Sequence, residues 1–227
     1  MKKNIIFLFV AAALMNLNGF SQGFVNLGFE KAVINISGAP QFQTYASNAI
    51  PGWTAYISGA AQTTLAYNAI SLGSAAISIH DTNDVYPKIQ GVYFILLQSA
   101  SQAFPLGPQS AGIGQTGQIP VWAMTMSFWG YFGGSLSFNN QSLSYLQTGS
   151  AANYNIWTVD ISAFAGQTGE LLFTVPFPNP YFGYGNSARI DNIQFSSTAV
   201  PEPGTLALVA LGASLFGLRR KRNSREF

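Results

Sequence analysis

Alternation between apolar and polar side chains is the dominant pattern in the middle of the chain. In the segment 121–131, one phase holds Trp122, two methionines and Phe128, and the other phase is mostly small or polar. Side chains that alternate in this way lie on opposite faces of a β-strand, so the segment predicts a strand with one buried face. The run 92–97 is apolar at every position, which predicts a strand buried on both faces.

Further segments with strand character are separated by clusters of Gly, Pro, Asn and Ser, which are typical of turns. These segments are residues 24–29, 32–36, 53–58, 64–67, 76–80, 135–138, 156–161, 171–175 and 189–196. The pattern contains no long amphipathic helix and no internal repeat, although residues 161–165 predict one helical turn. We therefore expect an all-β fold, an antiparallel β-sandwich of the jelly-roll type.

Two local features refine this sandwich. Asn139 and Asn140 lie between two strand segments and predict a hairpin turn, because asparagine tolerates the left-handed backbone of such turns. In the last strand Ile190 and Ile193 are three residues apart rather than two, so a β-bulge is expected between them, near Asp191 and Asn192.

The tryptophans divide between core and surface. Trp53, Trp122 and Trp157 are assigned to the core of the sandwich. Trp129 and Tyr131 fall on the phase opposite the methionines, and their pattern is compatible with either the core or an exposed ligand platform.

Charge and cysteine content exclude some classes of function. The formal charge of the chain is +2, but the cations are concentrated at its two ends. Between residues 22 and 199, three cations and six anions give about −3, with Lys31, Lys88 and Arg189 set against Glu30, Asp81, Asp84, Asp160, Glu170 and Asp191. No basic patch remains for nucleic acid. Because the chain has no cysteine, core packing or bound ions must stabilise it.

The N-terminus has the three parts of a secretory signal peptide. Lys2 and Lys3 precede the apolar run 5–14, and Gly19 and Ser21 are suitable small residues for a cleavage site. We expect residues 1–21 to direct export through Sec-type machinery and to be removed by signal peptidase.

The C-terminal residues 200–227 form a second address signal. A Pro-rich motif, a short apolar helix over 205–218 and a basic tail over 219–227 follow one another. The motif consists of Val200, Pro201, Glu202, Pro203 and Gly204, and the basic cluster consists of Arg219, Arg220, Lys221 and Arg222. A helix of about 15 residues spans only ~22 Å, less than the ~30 Å bilayer core, which predicts a weak stop-transfer segment. The cations should remain cytoplasmic.

This tail closely resembles the PEP-CTERM sorting signal of Gram-negative bacteria. The resemblance implies recognition and removal of the tail by an exosortase, after transient anchoring in the inner membrane. It further implies a final place at the cell surface or in the extracellular matrix of a bacterium that makes exopolysaccharide. An ordinary short membrane anchor and a buried core helix are the alternatives, but a core helix would not normally end in a cluster of cations.

The body between the two signals, residues 22–199, resembles the galactose-binding-like jelly rolls, which include many carbohydrate-binding modules. The matching stretches are short and lie at residues 26–30, 51–53, 95–98, 101–104, 157–161, 164–166 and 189–193. In that family an early Glu and an Asp of the last strand commonly flank a structural Ca²⁺, and the corresponding residues are Glu30 and Asp191. Calcium prefers such oxygen ligands. Alternatively, both carboxylates are exposed, or one of them pairs with Lys31 or Arg189.

Other acidic residues offer weaker chemistry. The stretch 81–84 lacks the Gly and the distal Glu of an EF-hand loop, so we predict a solvated turn there rather than a cation site. His80 is the single histidine, and the adjacent Asp81 would point to the opposite face of a strand. No G-x-S-x-G elbow is present. We therefore predict that the protein is not an enzyme.

The loop 176–186 is the predicted ligand-binding segment. Sugars stack on aromatic rings with amides at the rim, and the loop offers Tyr181, Phe182 and Tyr184 together with Asn179 and Asn186. The alternative is that these aromatic rings pack against the edge of the sandwich.

These observations favour an exported, non-catalytic surface or matrix protein that binds polysaccharide. Two other functions stay open at this point. One is a self-associating structural surface protein without a ligand, because low charge and abundant Asn, Gln, Ser and Gly suit close packing between copies. The other is a glycan-active hydrolase that uses two of the six carboxylates of the body.

Overall fold

The computed structural model describes residues 23–71, 73–84, 86–102, 107–177 and 186–200. Within these ranges the chain forms sixteen β-strands, one helix of four residues and one short 3-10 helix. The predicted all-β class is confirmed. The expected signal peptide and the expected apolar helix near the C-terminus lie outside the described residues.

The larger sheet has eight strands. Their bounds are β1 Gln43–Tyr45, β4 Thr64–Tyr67, β5 Ala76–His80, β6 Phe94–Gln98, β10 Thr125–Gly130, β13 Tyr145–Ser150, β14 Asn155–Asp160 and β16 Ser187–Ser196. They lie side by side in the order β1, β4, β5, β6, β16, β10, β14, β13. Only β4 and β5 pair in parallel within this described sheet, and the other neighbours are antiparallel.

The smaller sheet has six antiparallel strands. Their bounds are β2 Thr54–Ile57, β3 Ala60–Gln62, β9 Ala111–Gln118, β11 Ser135–Phe138, β12 Gln141–Ser142 and β15 Thr168–Val175. They follow the order β12, β11, β15, β9, β2, β3. A separate hairpin joins β7 Ala100–Gln102 to β8 Gly107–Gln109, and the helical pieces are α1 Ala46–Ala49 and the 3-10 helix Ser162–Phe164.

An aromatic core fills the space between the two sheets. Phe173 of the smaller sheet lies 5.2 Å from Phe128 of the larger sheet and 6.3 Å from Trp53, measured between ring centroids. Phe128 and Phe173 are fully buried and Trp53 is 5 % exposed. Contact between the inward faces of two sheets defines a β-sandwich, as the alternation predicted.

The strand β6 confirms the interpretation of the continuous apolar run. Ile95 and Leu97 belong to the core between the sheets. Phe94 and Leu96 are also buried, although they alternate with those core residues and face the other side of the sheet. Another part of the chain therefore covers the outer face of the larger sheet at this point.

The assignment of Trp122 to the core is wrong. Strand β10 begins only at Thr125, because residues before it form a turn in which the Ala123 N–H donates to the carbonyl oxygen of Pro120. Trp122 is 56 % exposed and Met124 is 41 % exposed. The core assignments of Trp53 and Trp157 agree with the structure, since Trp53 is buried and the half-buried Trp157 packs against the core.

The two predicted strands at 24–29 and 32–36 are absent, and turns and extended loop stand in their place. Asn26 and Phe29 have φ values of 53° and 58°, in the left-handed region that a regular strand cannot contain. The Asn26 side-chain amide donates to the Pro51 carbonyl oxygen and its Oδ1 accepts the Lys31 N–H. Tertiary hydrogen bonds therefore override the strand propensity of this segment.

Both predicted irregularities are present. Asn139 and Asn140 connect β11 to β12 with φ values of 48° and 63°. Asn192 has a φ of 47°, and the register between β10 and β16 shifts beside it. The bulge lies where β16 changes partner, since residues 187–190 pair with β6 and residues 191–196 pair with β10.

A substitution at Gly130 tests the close approach of strand β10 to strand β16. It has a φ of 147°, and a Cβ at this position would overlap the carbonyl oxygen of Arg189. We expect Gly130→Ala to lower the free energy of unfolding by roughly 3 kcal/mol, through backbone strain and this overlap. The urea midpoint is the measurement. Gly133→Ala, whose Cβ would meet nothing within 4 Å, is the matched control, and an equal effect of both changes would contradict the explanation.

Candidate functional site

Aromatic and polar side chains gather on the outer face of the larger sheet. Arg189 stands between Ala188 and Ile190, which are both buried in the core, so its own side chain points away from the core. Trp129 follows the core residue Phe128 and faces the same outer side. This surface, formed by Tyr86, Trp129, Tyr131, Tyr154 and Arg189, is called the aromatic face below.

The Arg189 guanidinium lies between two tyrosine rings. Its Cζ is 4.5 Å from the ring centroid of Tyr131 and 5.6 Å from that of Tyr86. The backbone holds this arrangement, because the Arg189 N–H donates to the Tyr131 carbonyl oxygen at 2.8 Å. Arg189 Nη1 is buried and has no hydrogen-bond partner within the described structure.

A second aromatic pair extends the aromatic face across β10. The rings of Trp129 and Tyr154 stack with centroids 4.8 Å apart and only 5° between their planes. Beyond them lie hydroxyl groups, since the Oγ1 atoms of Thr148 and Thr158 share a hydrogen bond of 2.8 Å. Rings bordered by hydroxyls are the composition that sugar sites use.

His80 is fully buried at the edge of this face. Its ring stacks on Phe94 at 5.2 Å and meets the edge of Tyr86 at 5.5 Å. Tyr86 thus belongs to the cover over the outer face of the larger sheet near β6. Burial lowers the pKa of His80, and the Arg189 charge acts in the same direction, whereas the carboxylates of Asp84 and Asp81 oppose the shift.

The carboxylate partner of His80 is Asp84, which sequence reasoning missed. Asp84 Oδ2 contacts His80 Nδ1 across one turn of chain. His80 Nε2 has no hydrogen-bond partner among the described residues, so no described hydroxyl is placed for activation by this pair.

The prediction of a solvated turn at residues 81–84 is wrong for Asp81, the first residue of that turn. Asp81 is 6 % exposed and accepts hydrogen bonds from the Tyr67 hydroxyl at 2.7 Å and the Asn68 amide at 2.8 Å. Burial alone would raise the pKa of Asp81, but these donors and Asn83 together lower it. Asp81 therefore anchors the start of the cover.

The remaining carboxylates lie in different places. Asp160 accepts from the backbone N–H and the hydroxyl of Ser162 at the end of β14. Glu170 accepts from the Tyr56 hydroxyl at 3.0 Å, on the outer face of the smaller sheet. Both carboxylates have a local structural partner.

Glu30 and Asp191 come together from opposite ends of the body. Glu30 Oε1 accepts the backbone N–H groups of Val92 at 2.8 Å and Tyr93 at 3.2 Å. Asp191 is fully buried and accepts the Gln90 N–H at 2.8 Å. The pKa of Asp191 is raised to about 8, mainly by burial and to a smaller extent by the nearby Glu30 charge, against the lowering effect of the Asn192 and Gln90 backbone N–H groups.

Three oxygen-bearing side chains lie around Gly28. A Cβ added at Gly28 would lie 3.5 Å from Gln90 Oε1, 3.9 Å from Asp191 Oδ1 and 3.9 Å from Glu30 Cγ. Carboxylate and amide oxygens are the donors that Ca²⁺ prefers, so the residues present fit a calcium ion. Gln90 is the member of this set that the sequence did not indicate. Among the described residues there is no cluster of three or more His, Cys, Asp or Glu side chains for a metal.

The predicted ligand-binding loop lies mostly beyond the described residues. Tyr181, Phe182, Tyr184 and Asn179 are outside them, and only Asn186 can be placed. Asn186 is exposed, and its backbone is fixed by Ser99, whose hydroxyl accepts the Asn186 N–H at 3.0 Å. Asn186 directly precedes β16, the strand that carries Arg189.

The fold and the aromatic face thus define an all-β sandwich with an aromatic outer surface. Residues 199–222 match the model of the PEP-CTERM protein-sorting motif, which confirms the resemblance of the tail. This motif implies that the chain is exported, transiently anchored in the membrane through its tail and processed by an exosortase. In the portion that the structure describes, no helix has the length and apolar character needed to cross a bilayer.

Two solved structures resemble the body. One is the enzymatically active domain of tailspike protein 4 from bacteriophage CBA120, with a TM-score of 0.35 and 15 % identity over 64 % of this chain and 19 % of the tailspike chain. The other is a family 11 carbohydrate-binding module from Clostridium thermocellum in complex with a β-1,3-1,4-mixed-linked tetrasaccharide, with a TM-score of 0.32 and 10 % identity over 66 % and 91 % of the two chains.

Both TM-scores are low, so the assignment of the fold comes from the strand topology of this chain itself. The comparison with curated protein sequences gives no match.

The buried environment of His80 leads us to expect a lowered pKa for its imidazole ring. Because the chain has one histidine, NMR can follow its ring proton without assignment, and we expect a pKa below about 6.5. Asp84→Asn should lower the pKa further, since the Asp84 carboxylate favours the protonated ring. The unfolded chain takes up this proton near pH 6.5 and the folded chain does not, so the His80 contribution to stability falls as the pH drops below that value. A pKa at or above 6.5 would contradict the burial argument.

Proposed function

We propose that the mature protein is a non-catalytic component of the cell surface or extracellular matrix that binds polysaccharide on its aromatic face. The observation that carries this proposal is the set of rings on the outer side of the larger sheet, where Tyr131 is 40 % exposed and Trp129 and Tyr154 are half-buried. Rings in this position add nothing to the core between the sheets, and flat apolar surfaces bordered by hydroxyls suit sugar rings.

The sorting motif supports the same function. The PEP-CTERM match implies export of this chain, and polysaccharide is one of the polymers that an exported protein meets outside the cell. The partners of His80, Asp160 and Glu170 support a structural role for these groups rather than a catalytic one. The body has a formal charge of about −3, so binding depends on stacking and hydrogen bonds rather than on a general positive charge.

Substitution of single rings tests this proposal. We expect Trp129→Ala and Tyr131→Ala to weaken binding to the extracellular polysaccharide of the producing bacterium by roughly five- to tenfold each, since each removes one stacking surface. Affinity electrophoresis in gels that contain the polysaccharide gives the dissociation constants.

Trp122→Ala is the matched control for these variants. Trp122 is equally large and 56 % exposed, but it lies in the turn before β10 rather than on the aromatic face. We expect Trp122→Ala to bind as the wild type does. Equal binding by all four proteins, or no retardation of the wild type, would refute the proposal.

We also propose that Glu30, Gln90 and Asp191 hold a structural Ca²⁺. The support is geometric, because the three side chains lie around Gly28 and come from three separate segments: the loop at 26–31, the residues before β6 and the strand β16. An ion bound there would link the beginning of the body to its last strand. Ligands that bind only the folded state stabilise it, and this body has no disulfide.

The melting temperature tests the calcium proposal independently of any sugar. We expect Ca²⁺ in excess over its dissociation constant to raise the melting temperature by about 5–10 °C relative to EDTA. Glu30→Gln keeps an oxygen for the Val92 and Tyr93 N–H groups but removes the charge, and it should abolish the rise. Glu170→Gln, on the other sheet, should leave the rise intact. A rise that survives Glu30→Gln, or is absent in the wild type, would refute the site.

A further inference from the structure

Within the described structure, the Arg189 cation on the aromatic face has no counter-ion. Arg189 is one of three cations between residues 22 and 199, and the other two, Lys31 and Lys88, are exposed. Among the described residues, no carboxylate lies within ion-pair distance of the Arg189 guanidinium. The two aspartates near His80 have partners of their own, since Asp84 contacts His80 and Asp81 accepts hydrogen bonds from Tyr67 and Asn68.

The tyrosine rings do not replace this counter-ion. Rings above and below a guanidinium interact with its flat faces, but its N–H donors point outward in the plane of the group. Nη1 is buried without a partner in the described structure, whereas Arg189 as a whole is only half-buried. The Nη1 N–H groups at the edge of the Arg189 guanidinium therefore have no acceptor in the described structure.

A carboxylate is the group that fits this arrangement best. It accepts two parallel N–H groups from the edge of a guanidinium, and its charge offsets that of a partly buried cation. A sugar hydroxyl can accept one of these hydrogen bonds but leaves the charge uncompensated. The tyrosine rings hold the guanidinium in one orientation, which lowers the entropic cost of binding a planar acceptor.

We propose that the aromatic face selects acidic polysaccharides, and that Arg189 binds the carboxylate of a uronic acid unit while the neighbouring rings stack on the sugar chain. This inference rests on the proposed function and names its substrate class. It also accounts for an acidic body that binds a polyanion, because recognition depends on one oriented cation rather than on net charge.

The test compares each polysaccharide with its own carboxyl-reduced form. Carbodiimide activation followed by borohydride converts uronic acids to neutral sugars and leaves the linkages intact. The probes are alginate, polygalacturonate and the extracellular polysaccharide of the producing bacterium, each in both forms, at about 150 mM salt so that long-range attraction is screened. We expect the wild-type protein to bind at least one native form about tenfold more tightly than its reduced form.

The variants separate the carboxylate from the sugar. Arg189→Gln should lose about tenfold in affinity for the native form and nothing for the reduced form. Arg189→Lys keeps the charge but not the two-pronged donor, so it should lose several-fold in the same selective way. Lys88→Gln, an exposed cation in the adjoining loop, should bind both forms as the wild type does. Unchanged urea midpoints confirm that the variants are folded.

The outcomes distinguish this inference from the proposed function. If Trp129→Ala weakens both forms while Arg189→Gln weakens neither, the protein binds sugars without acid selectivity, and the inference about Arg189 is wrong. If the wild type binds native and reduced forms equally, the inference is also wrong. If it binds no form of any probe, the inference and the proposed function are both refuted.

Discussion

The larger sheet depends on one strand that has two successive partners. The first part of β16 pairs with β6, and the rest pairs with β10, so β16 alone joins the strands β1, β4, β5 and β6 to the strands β10, β14 and β13. The bulge at Asn192 lies at this change of partner. Without it, Ile190 and Ile193 could not both face the core, where both are buried.

The same point on β16 positions Arg189 and Asp191, the side chains on which the two proposed sites depend. Arg189 precedes the change of partner and faces outward among the tyrosines. Asp191 follows it and lies buried beneath the Gln90 N–H, next to the Glu30 loop. A structural ion site and a ligand site two residues apart on one strand would share their rigidity, because loss of pairing at this position disturbs both.

The sequence predicted the strands that follow simple alternation and failed where packing decides. Strands β4, β5 and β11 match their predicted bounds. The pattern does not predict strand β9, because Gly112 and Gly114 take positions where an alternating strand would carry larger side chains. A Cβ at Gly112 would lie 2.8 Å from the Phe173 carbonyl oxygen, and one at Gly114 would lie 2.6 Å from a Glu170 oxygen. Glycine is required at these two positions by residues that are distant in sequence, and a local pattern does not reveal such contacts.

The candidate site likewise combines residues that the sequence pattern indicates with residues that only tertiary packing brings together. Trp129 and Tyr131 were recognisable as residues opposite a core phase, and the pairing of Glu30 with Asp191 came from a family resemblance. The position of Arg189 between two rings depends on Tyr86, which lies about a hundred residues earlier, in a segment without strand character. The contact of His80 with Asp84 depends on a turn whose shape is set by the buried Asp81. Such contacts follow from tertiary structure.

The segment that joins the body to the tail is short. The Thr125 hydroxyl still donates to the Thr198 carbonyl oxygen at 2.9 Å, and the sorting motif begins at residue 199. While the tail is anchored, the sandwich is therefore held within about 25 Å of the apolar run that begins at residue 205, because seven extended residues span no more than that. Arg189 lies seven residues before the end of β16 at Ser196, which corresponds to about 23 Å of strand. Sixteen residues separate Arg189 from the start of the apolar run, so while the tail is anchored the aromatic face stays within about 55 Å of that run, where polymers that lie along the membrane can reach it.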